Sequence, residues 1–327
     1  MALKALFIGG SGVISTACSE LAVRSGMDLF VLNRGRTHRP LPESVHHLRV
    51  DRADQAATRE ALDSINPDVV VNFIAFTPEQ VQADIDLCSG RTGQYVFISS
   101  ASAYQTPPAR LPIDESTPLR NPFWEYSRLK IACEERLMDA YRDRAFPVTV
   151  VRPSQTYDRT VVPVDGGWSV IERLRQGREI VIHGDGTSLW TLTHSRDFAQ
   201  GLVGLLGQRG AIGQSFHITS DEVLTWNAIY EIAAHAAGTE PRMVHVPSDA
   251  IAAMDDAWGA GLLGDKAHSM LFDNTKIKRY VPDFQASTTF GQGMQEAIAW
   301  HDADASRRKV DQRYDALMDT LVEQYRV

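Results

Sequence analysis

The sequence predicts an α/β fold: a doubly wound, parallel sheet with a smaller C-terminal domain. Three observations predict it. The first half alternates short β-rich runs with helical stretches, the pattern of parallel strands joined by crossover helices. Several of those runs are wholly apolar, which suits strands covered on both faces. The rhythm then loosens after Tyr157, where glycine pairs and shorter helical pieces take over.

In chain order, Ala5-Leu6-Phe7-Ile8 reads as the first strand, and a helix follows through Cys18, Leu21 and Val23. Leu29-Phe30-Val31-Leu32 is the second strand, His47-Leu48-Arg49-Val50 the third and Val69-Val70-Val71 the fourth. Tyr95-Val96-Phe97-Ile98 is the fifth. A long helix runs from Glu125 to about Tyr141, and Val148-Thr149-Val150-Val151 is the sixth strand. Residues 1–158 therefore read as the sheet domain and 159–327 mainly as a second, smaller domain. Residues 195–220 are expected to return to the sheet, with Phe216-His217-Ile218 as the strand. Trp226 to Ala237 reads as a helix, and Arg307 to Tyr325 as a charged amphipathic helix, a solvated cap or oligomer contact.

Composition narrows the function. A chain of 327 residues, 43% hydrophobic and 23% charged, buries a core without disulfides or metals. Cys18, Cys88 and Cys133 are scattered and form no CxxC or Cys/His cluster, so no disulfide framework or metal site is expected. The start of the chain lacks a signal-peptide pattern, and no apolar run nears the ~20 residues of a membrane span. A cytoplasmic protein that avoids membranes is expected. The net charge of −8 argues against nucleic acid as a main partner.

The strongest local motif is Gly9-Gly10-Ser11-Gly12-Val13-Ile14-Ser15, set between the first strand and the first helix. Glycines let the backbone turn sharply and approach a pyrophosphate, and the opening amides of the helix meet its charge. Gly9, Gly12, Val13 and Ile14 are thus candidate contacts to NAD or NADP, in a Rossmann-type domain. Ser15 stands where the third glycine of the pattern is usual, so the helix is expected slightly further from the strand.

After the second strand comes Asn33-Arg34-Gly35-Arg36-Thr37-His38-Arg39. An NAD site usually places an acidic side chain here for the ribose 2′-hydroxyl. Asn33 carries no charge, and Arg34 and Arg36 suit a 2′-phosphate, so charge favours NADP over NAD. Asp51 either accepts from the adenine amine or is a plain loop carboxylate.

Tyr126 and Lys130 stand at i and i+4, on one face of the predicted helix. A nearby ammonium is expected to lower the phenol toward working pH, making it an acid/base for an alcohol or ketone. Ser99-Ser100-Ala101-Ser102, at the end of the fifth strand, supplies hydroxyls at the same edge of the sheet.

With these residues in place, the chain resembles the extended short-chain dehydrogenase/reductase family, which includes nucleotide-sugar epimerases and dehydratases. The likeness runs to about Trp300. It rests on Phe7-Ile8-Gly9-Gly10-Ser11-Gly12-Val13-Ile14, Val96-Phe97-Ile98-Ser99-Ser100-Ala101-Ser102-Ala103-Tyr104 and Tyr126-Ser127-Arg128-Leu129-Lys130. Val151-Arg152-Pro153 and Thr193-His194-Ser195-Arg196-Asp197-Phe198-Ala199 match as well. The resemblance implies Tyr126 as acid/base, Lys130 on the nicotinamide ribose, Ser100 on the substrate oxygen and Pro153 beside the cofactor. It also implies a homodimer through the Tyr126 helix.

The departures bear on substrate. Family dehydratases carry an Asp-Glu pair where this chain has Ala101-Ser102, which argues against dehydration. Family arginines that hold a diphosphate fall on Trp190 and on Leu262 or Leu263, ahead of Gly264-Asp265. Lys266 and His268 are candidate replacements. Trp190 either stacks on a sugar without the nucleotide or packs in the core. Phe76, Thr77, Trp124, Tyr157 and Trp168 are further candidate pocket walls. The expected activity is hydride transfer at a secondary alcohol or ketone carbon of a sugar-like molecule, with sugar epimerisation leading. The alternatives are a net NADP-dependent ketoreductase or dehydrogenase, and a non-catalytic cofactor-binding regulator or RNA-associated scaffold.

Overall fold

The structure, a computed structural model, describes residues 2–36 and 39–326. Thr37 and His38, within the basic loop after the second strand, lie outside the described residues.

β1 (Lys4–Ile8) leads into α1 (Val13–Arg24), followed by β2 (Asp28–Asn33) and β3 (His46–Arg49). Then come α2 (Gln55–Ile65), β4 (Val69–Asn72), α3 (Pro78–Cys88), β5 (Gln94–Ile98), α4 (Glu125–Arg144) and β6 (Val148–Pro153). Side chains cap the helices whose start was not marked by periodicity: Asp54 accepts from the Ala57 amide, and Thr77 from that of Gln80 with Pro78 in the first turn.

The later elements are β7 (Gln155–Tyr157), α5 (Trp168–Arg175), β8 (Ile180–His183), β9 (Leu189–Trp190), β10 (Leu192–His194) and α6 (Ser195–Leu205). β11 (Ser215–Ile218), β12 (Leu224–Thr225), α7 (Trp226–Ala236), β13 (Met243–Val246), α8 (Ser248–Met254) and α9 (Asp256–Gly261) follow. A π-helical turn, Leu262–Lys266, extends α9. α10 (Thr275–Tyr280), α11 (Phe290–Asp302) and α12 (Gln312–Tyr325) complete the described chain.

The central sheet has seven strands in the order β11-β6-β5-β4-β1-β2-β3, all parallel. Ala5 pairs with Leu29 on one side and Val69 on the other, so the order reverses at β1. That reversal opens a crevice at the carboxyl edge, where ligands of such sheets bind. The apolar strands are buried on both faces, as β4 and β5 show, between two hydrophobic clusters. A third cluster, around Trp190, Trp226 and Ile182, gathers the later elements. There three small two-stranded sheets form, β7 with β10, β9 with β12 and β8 with β13.

α12 starts at Gln312 rather than Arg307, because Asp311 caps it and Arg307 belongs to a separate short turn. It is also less solvated than expected. Met318, Leu321 and Val322 are buried, and Arg173 and Arg178 clamp Asp315 and Asp319 on its other side. Among the described residues, no helix is long and apolar enough to cross a membrane.

Candidate functional site

The glycine turn sits at the crevice beside β1. Gly9 adopts a φ of +85°, and a Cβ there would lie 2.6 Å from Ile74 Cγ2, so this position needs glycine on both counts. A Cβ on Gly12 would meet only the Ser15 hydroxyl within 4 Å, which leaves the mouth of the turn open. Ser15 does more than replace a glycine. Its Oγ donates to the Gly9 carbonyl oxygen at 2.7 Å and accepts from the Gly12 amide at 2.7 Å, tying the turn to the helix.

The turn floors a cleft of about 310 Å3, lined by Gly9, Gly12, Val13, Ile14, Phe76 and Ile98, with Ser100, Tyr126, Lys130 and Pro153 at its inner end. The first amides of α1 have no partner within the helix. An open glycine cradle, unpaired amides and an apolar wall fit a dinucleotide pyrophosphate with a planar ring beyond it.

Asn33, Arg34, Arg36 and Asp51 do not line this cleft. Asn33 ends β2 beside the turn, with its Nδ2 donating to Ser11 Oγ at 3.3 Å and its Oδ1 accepting from the Gly35 amide at 2.9 Å. Arg34 lies 3.9 Å from Asp51, both half-exposed, and Arg36 is exposed.

α4 presents Tyr126 and Lys130 on its buried side. Lys130 is fully buried, and its Nζ donates to the carbonyl oxygens of Ala75 and Ile98, each at 2.8 Å. It also stands over the rings of Phe76 and Phe97, 4.6 and 4.8 Å from their centroids. Burial pulls its ammonium down to about 8. Ser100 caps a short turn after β5, and its Oγ lies 2.8 Å from Ser102 Oγ, to which Ser127 donates at 2.7 Å.

The expected lowering of Tyr126 by Lys130 is not found. Tyr126 is raised, by burial first and then by the negative charge of Asp265, while a hydrogen bond from Ser100 works in the opposite direction. The reason is geometric. The Lys130 ammonium is committed to two carbonyl oxygens and lies 5.8 Å from the Tyr126 ring centroid.

A second cleft of about 330 Å3 adjoins the first, and Ser100, Tyr126, Pro153 and Ser154 line both. Trp124 forms an aromatic wall, whereas Trp190 borders the cleft from the core, 3% exposed and packed against Trp226, with its Nε1 donating to Gln155 Oε1 at 2.9 Å. Lys266 reaches the cleft, but its Nζ lies 3.3 Å from Asp165 Oδ1.

Other expected pocket walls lie elsewhere. Thr77 is the cap of α3, since its hydroxyl is needed by the Gln80 amide. Tyr157 is a core residue, edge-on to His194 and Phe290. Trp168 stacks on His301 in the core. His268 is outside the cleft lining, and Phe76 faces the first cleft rather than the second. Sequence reasoning missed Gln155, Asp265 and Asn121. Asn121 Nδ2 donates to the carbonyl oxygens of Ser102 at 2.9 Å and Gly264 at 2.6 Å, fastening the π-helical turn over the site. A π turn leaves no periodic signal that would mark Asp265 beforehand.

The sequence pattern of a family described as "NAD dependent epimerase/dehydratase family" matches residues 5–219. The chain is 27% identical over 289 residues to a 2′-dehydrokanamycin reductase of Streptomyces kanamyceticus, covering 86% of this chain and 80% of that protein. It is 25% identical over 256 residues to the chloroplast stem-loop binding protein of 41 kDa b of Arabidopsis thaliana, covering 74% of this chain and 65% of that one, just under two thirds. A dTDP-glucose 4,6-dehydratase of Bacillus anthracis, solved in complex with NAD, has the same fold. Its TM-score is 0.74 at 17% identity, covering 93% of this chain and 98% of that one.

Proposed function

The chain belongs to the NAD dependent epimerase/dehydratase family, and from that premise we propose an NADPH-dependent enzyme that reduces a ketone carbon of a sugar-like substrate. The observation that carries it is the junction of the two clefts: Ser100 and Tyr126 line both, where a cofactor ring and a carbonyl would meet. When bound, the nicotinamide supplies the hydride.

The chain's own groups do the rest. Ser100 Oγ donates to the carbonyl oxygen and fixes its position. Tyr126, held above the usual phenol range, keeps its proton at neutral pH and donates it from the phenolic oxygen to the developing alkoxide. The Lys130 ammonium, fixed by the carbonyl oxygens of Ala75 and Ile98, stays beside this exchange without lowering the resting phenol. The amides opening α1 would hold the pyrophosphate, Lys130 the nicotinamide ribose, and Arg34 with Arg36 a 2′-phosphate.

A phenol that retains its proton suits reduction better than alcohol oxidation. The relative named as a reductase supports the same direction. Epimerisation would use these groups in both directions and hold its nucleotide through turnover. A stem-loop binding role, suggested by the name of the Arabidopsis relative, has the net charge of −8 against it. A homodimer through the groove between α3 and α4, lined by Ile85, Arg136 and Asp139, goes with the enzyme reading.

Purified protein tests the direction. A reductase exchanges its nucleotide freely and consumes NADPH in step with an added ketone. Nucleotide that survives dialysis, with no net consumption, would replace this reading with epimerisation.

A further inference from the structure

Asp265 lies on the π-helical turn, half-buried, and its carboxylate lines the second cleft close enough to Tyr126 to raise the phenol by its charge. Among the described residues, none donates a hydrogen bond to that carboxylate. The contrast with Asp84 is direct. Asp84, buried beneath the sheet edge, receives Arg52 Nη2 at 3.0 Å, Asn72 Nδ2 at 2.6 Å and the Tyr95 hydroxyl at 2.7 Å. Asp265 has no such set of donors among the described residues.

The charges around the cleft leave Asp265 only partly compensated. Lys266, the cation beside it, is 3.3 Å from Asp165, so that pair is neutral as a unit. Among the described residues lining the cleft there is no arginine. The remaining polar lining is hydroxyl and amide: Ser102, Ser154, Gln155 and Thr191. Such a wall carries a net negative charge and repels a diphosphate, while a cation with donor hydrogens completes it. Burial first holds the Asp265 carboxyl up at about 7, with the Lys266 charge pulling it down and the Asp165 charge pushing it up, and a bound cation would lower it further.

We propose that Asp265 determines specificity, and that the cleft takes a polyhydroxylated substrate bearing a protonated amine, which pairs with the Asp265 carboxylate. This deepens, and rests on, the reading of the site as a hydride-transfer centre. A carbohydrate amine places its ammonium on Asp265 while its ring lies against Trp124, with the reacting carbon toward Tyr126.

The test is binding, read through tryptophan fluorescence with NADP+ present, using glucosamine, N-acetylglucosamine, glucose and UDP-glucose as probes. Glucosamine is expected to bind about tenfold or more tighter than glucose or N-acetylglucosamine, the scale of one charge-assisted hydrogen bond. Asp265→Asn is expected to remove that preference and leave NADPH affinity unchanged. Equal affinity for the three sugars, or tightest binding of UDP-glucose, overturns the proposal while leaving the hydride-transfer reading intact. Failure to bind any nicotinamide dinucleotide overturns that reading instead, and the glucosamine-to-glucose ratio without nucleotide still decides for or against Asp265. Should Asp265→Asn lose NADPH binding through misfolding, the wild-type ratio of glucosamine to N-acetylglucosamine is the deciding measurement.

Discussion

Glu134 and Arg152 form a buried bidentate ion pair, with Arg152 Nε donating to Oε1 at 3.0 Å and Nη2 donating to Oε2 at 2.6 Å. The pair ties the middle of α4 to β6 one turn beyond Lys130, and Ser99 Oγ donates to the same carboxylate. It therefore fixes the helix that carries Tyr126 against the strand edge that carries Ser99 and Ser100. Removing one member leaves the other charge buried alone, which is costlier than the pair itself is favourable. Glu134→Ala is expected to lose about 3–5 kcal/mol of stability. Urea unfolding measures it, and a loss below about 1 kcal/mol, the scale of an exposed pair, would refute the structural role.

Gly9→Ala should fail for two reasons at once. Its φ of +85° is costly for any side chain, and the new methyl would lie 2.6 Å from Ile74 Cγ2. A loss of about 2–4 kcal/mol is expected from strain and overpacking together. NADPH affinity should fall with it, since the turn that floors the cleft must move. A variant that binds NADPH as tightly as wild type would show that the turn is not part of the cofactor site.

Alkaline pH is expected to weaken turnover through Lys130. Its ammonium is present below its pKa and lost above it, and burial has brought that value down to about 8. The rate should thus hold at neutral pH and fall as pH rises through about 8. Lys130→Arg, which stays charged, should move the descending limb to higher pH even if it lowers the plateau. A kcat/KM profile that stays flat across the alkaline range, or an unshifted limb in the variant, would remove Lys130 from the chemistry.

The proposed preference for NADPH is assigned to two exposed side chains, Arg34 and Arg36. Arg34→Ala combined with Arg36→Ala should weaken NADPH binding by about tenfold or more and leave NADH binding nearly unchanged, as expected when charge-assisted contacts to a 2′-phosphate are lost. Fluorescence titration with both nucleotides reads this directly. Equal losses for NADH and NADPH would mean that the arginines do not discriminate.

Much of the fold was legible in the sequence because burial on both faces writes itself as apolar runs. β1, β4 and β5 are the clearest cases, each nearly all buried. The placement of Tyr126 and Lys130 on one face was legible too, since i and i+4 fix a helix face whatever the surroundings. What those residues touch was not. The carbonyl of Ala75 that takes up Lys130 comes from a loop after β4, and no local pattern announces it. Thr77 and Tyr157 were misplaced because a capping hydroxyl and a core aromatic have the same composition as a binding wall. The two-residue strands β9 and β12 are too short to show a period of two, and Asp265 depends on a π turn held by Asn121.

The most direct test is the NADPH absorbance, followed as keto sugars are added to wild-type and Tyr126→Phe enzyme. Wild type is expected to oxidise NADPH in step with at least one carbonyl compound, amine-bearing ones first. Tyr126→Phe should bind NADPH equally well and turn over about 10²–10⁴-fold more slowly, the usual worth of a positioned acid. Equal rates in the two proteins, or NADPH that binds but is never consumed by any carbonyl offered, would contradict hydride transfer at Ser100 and Tyr126.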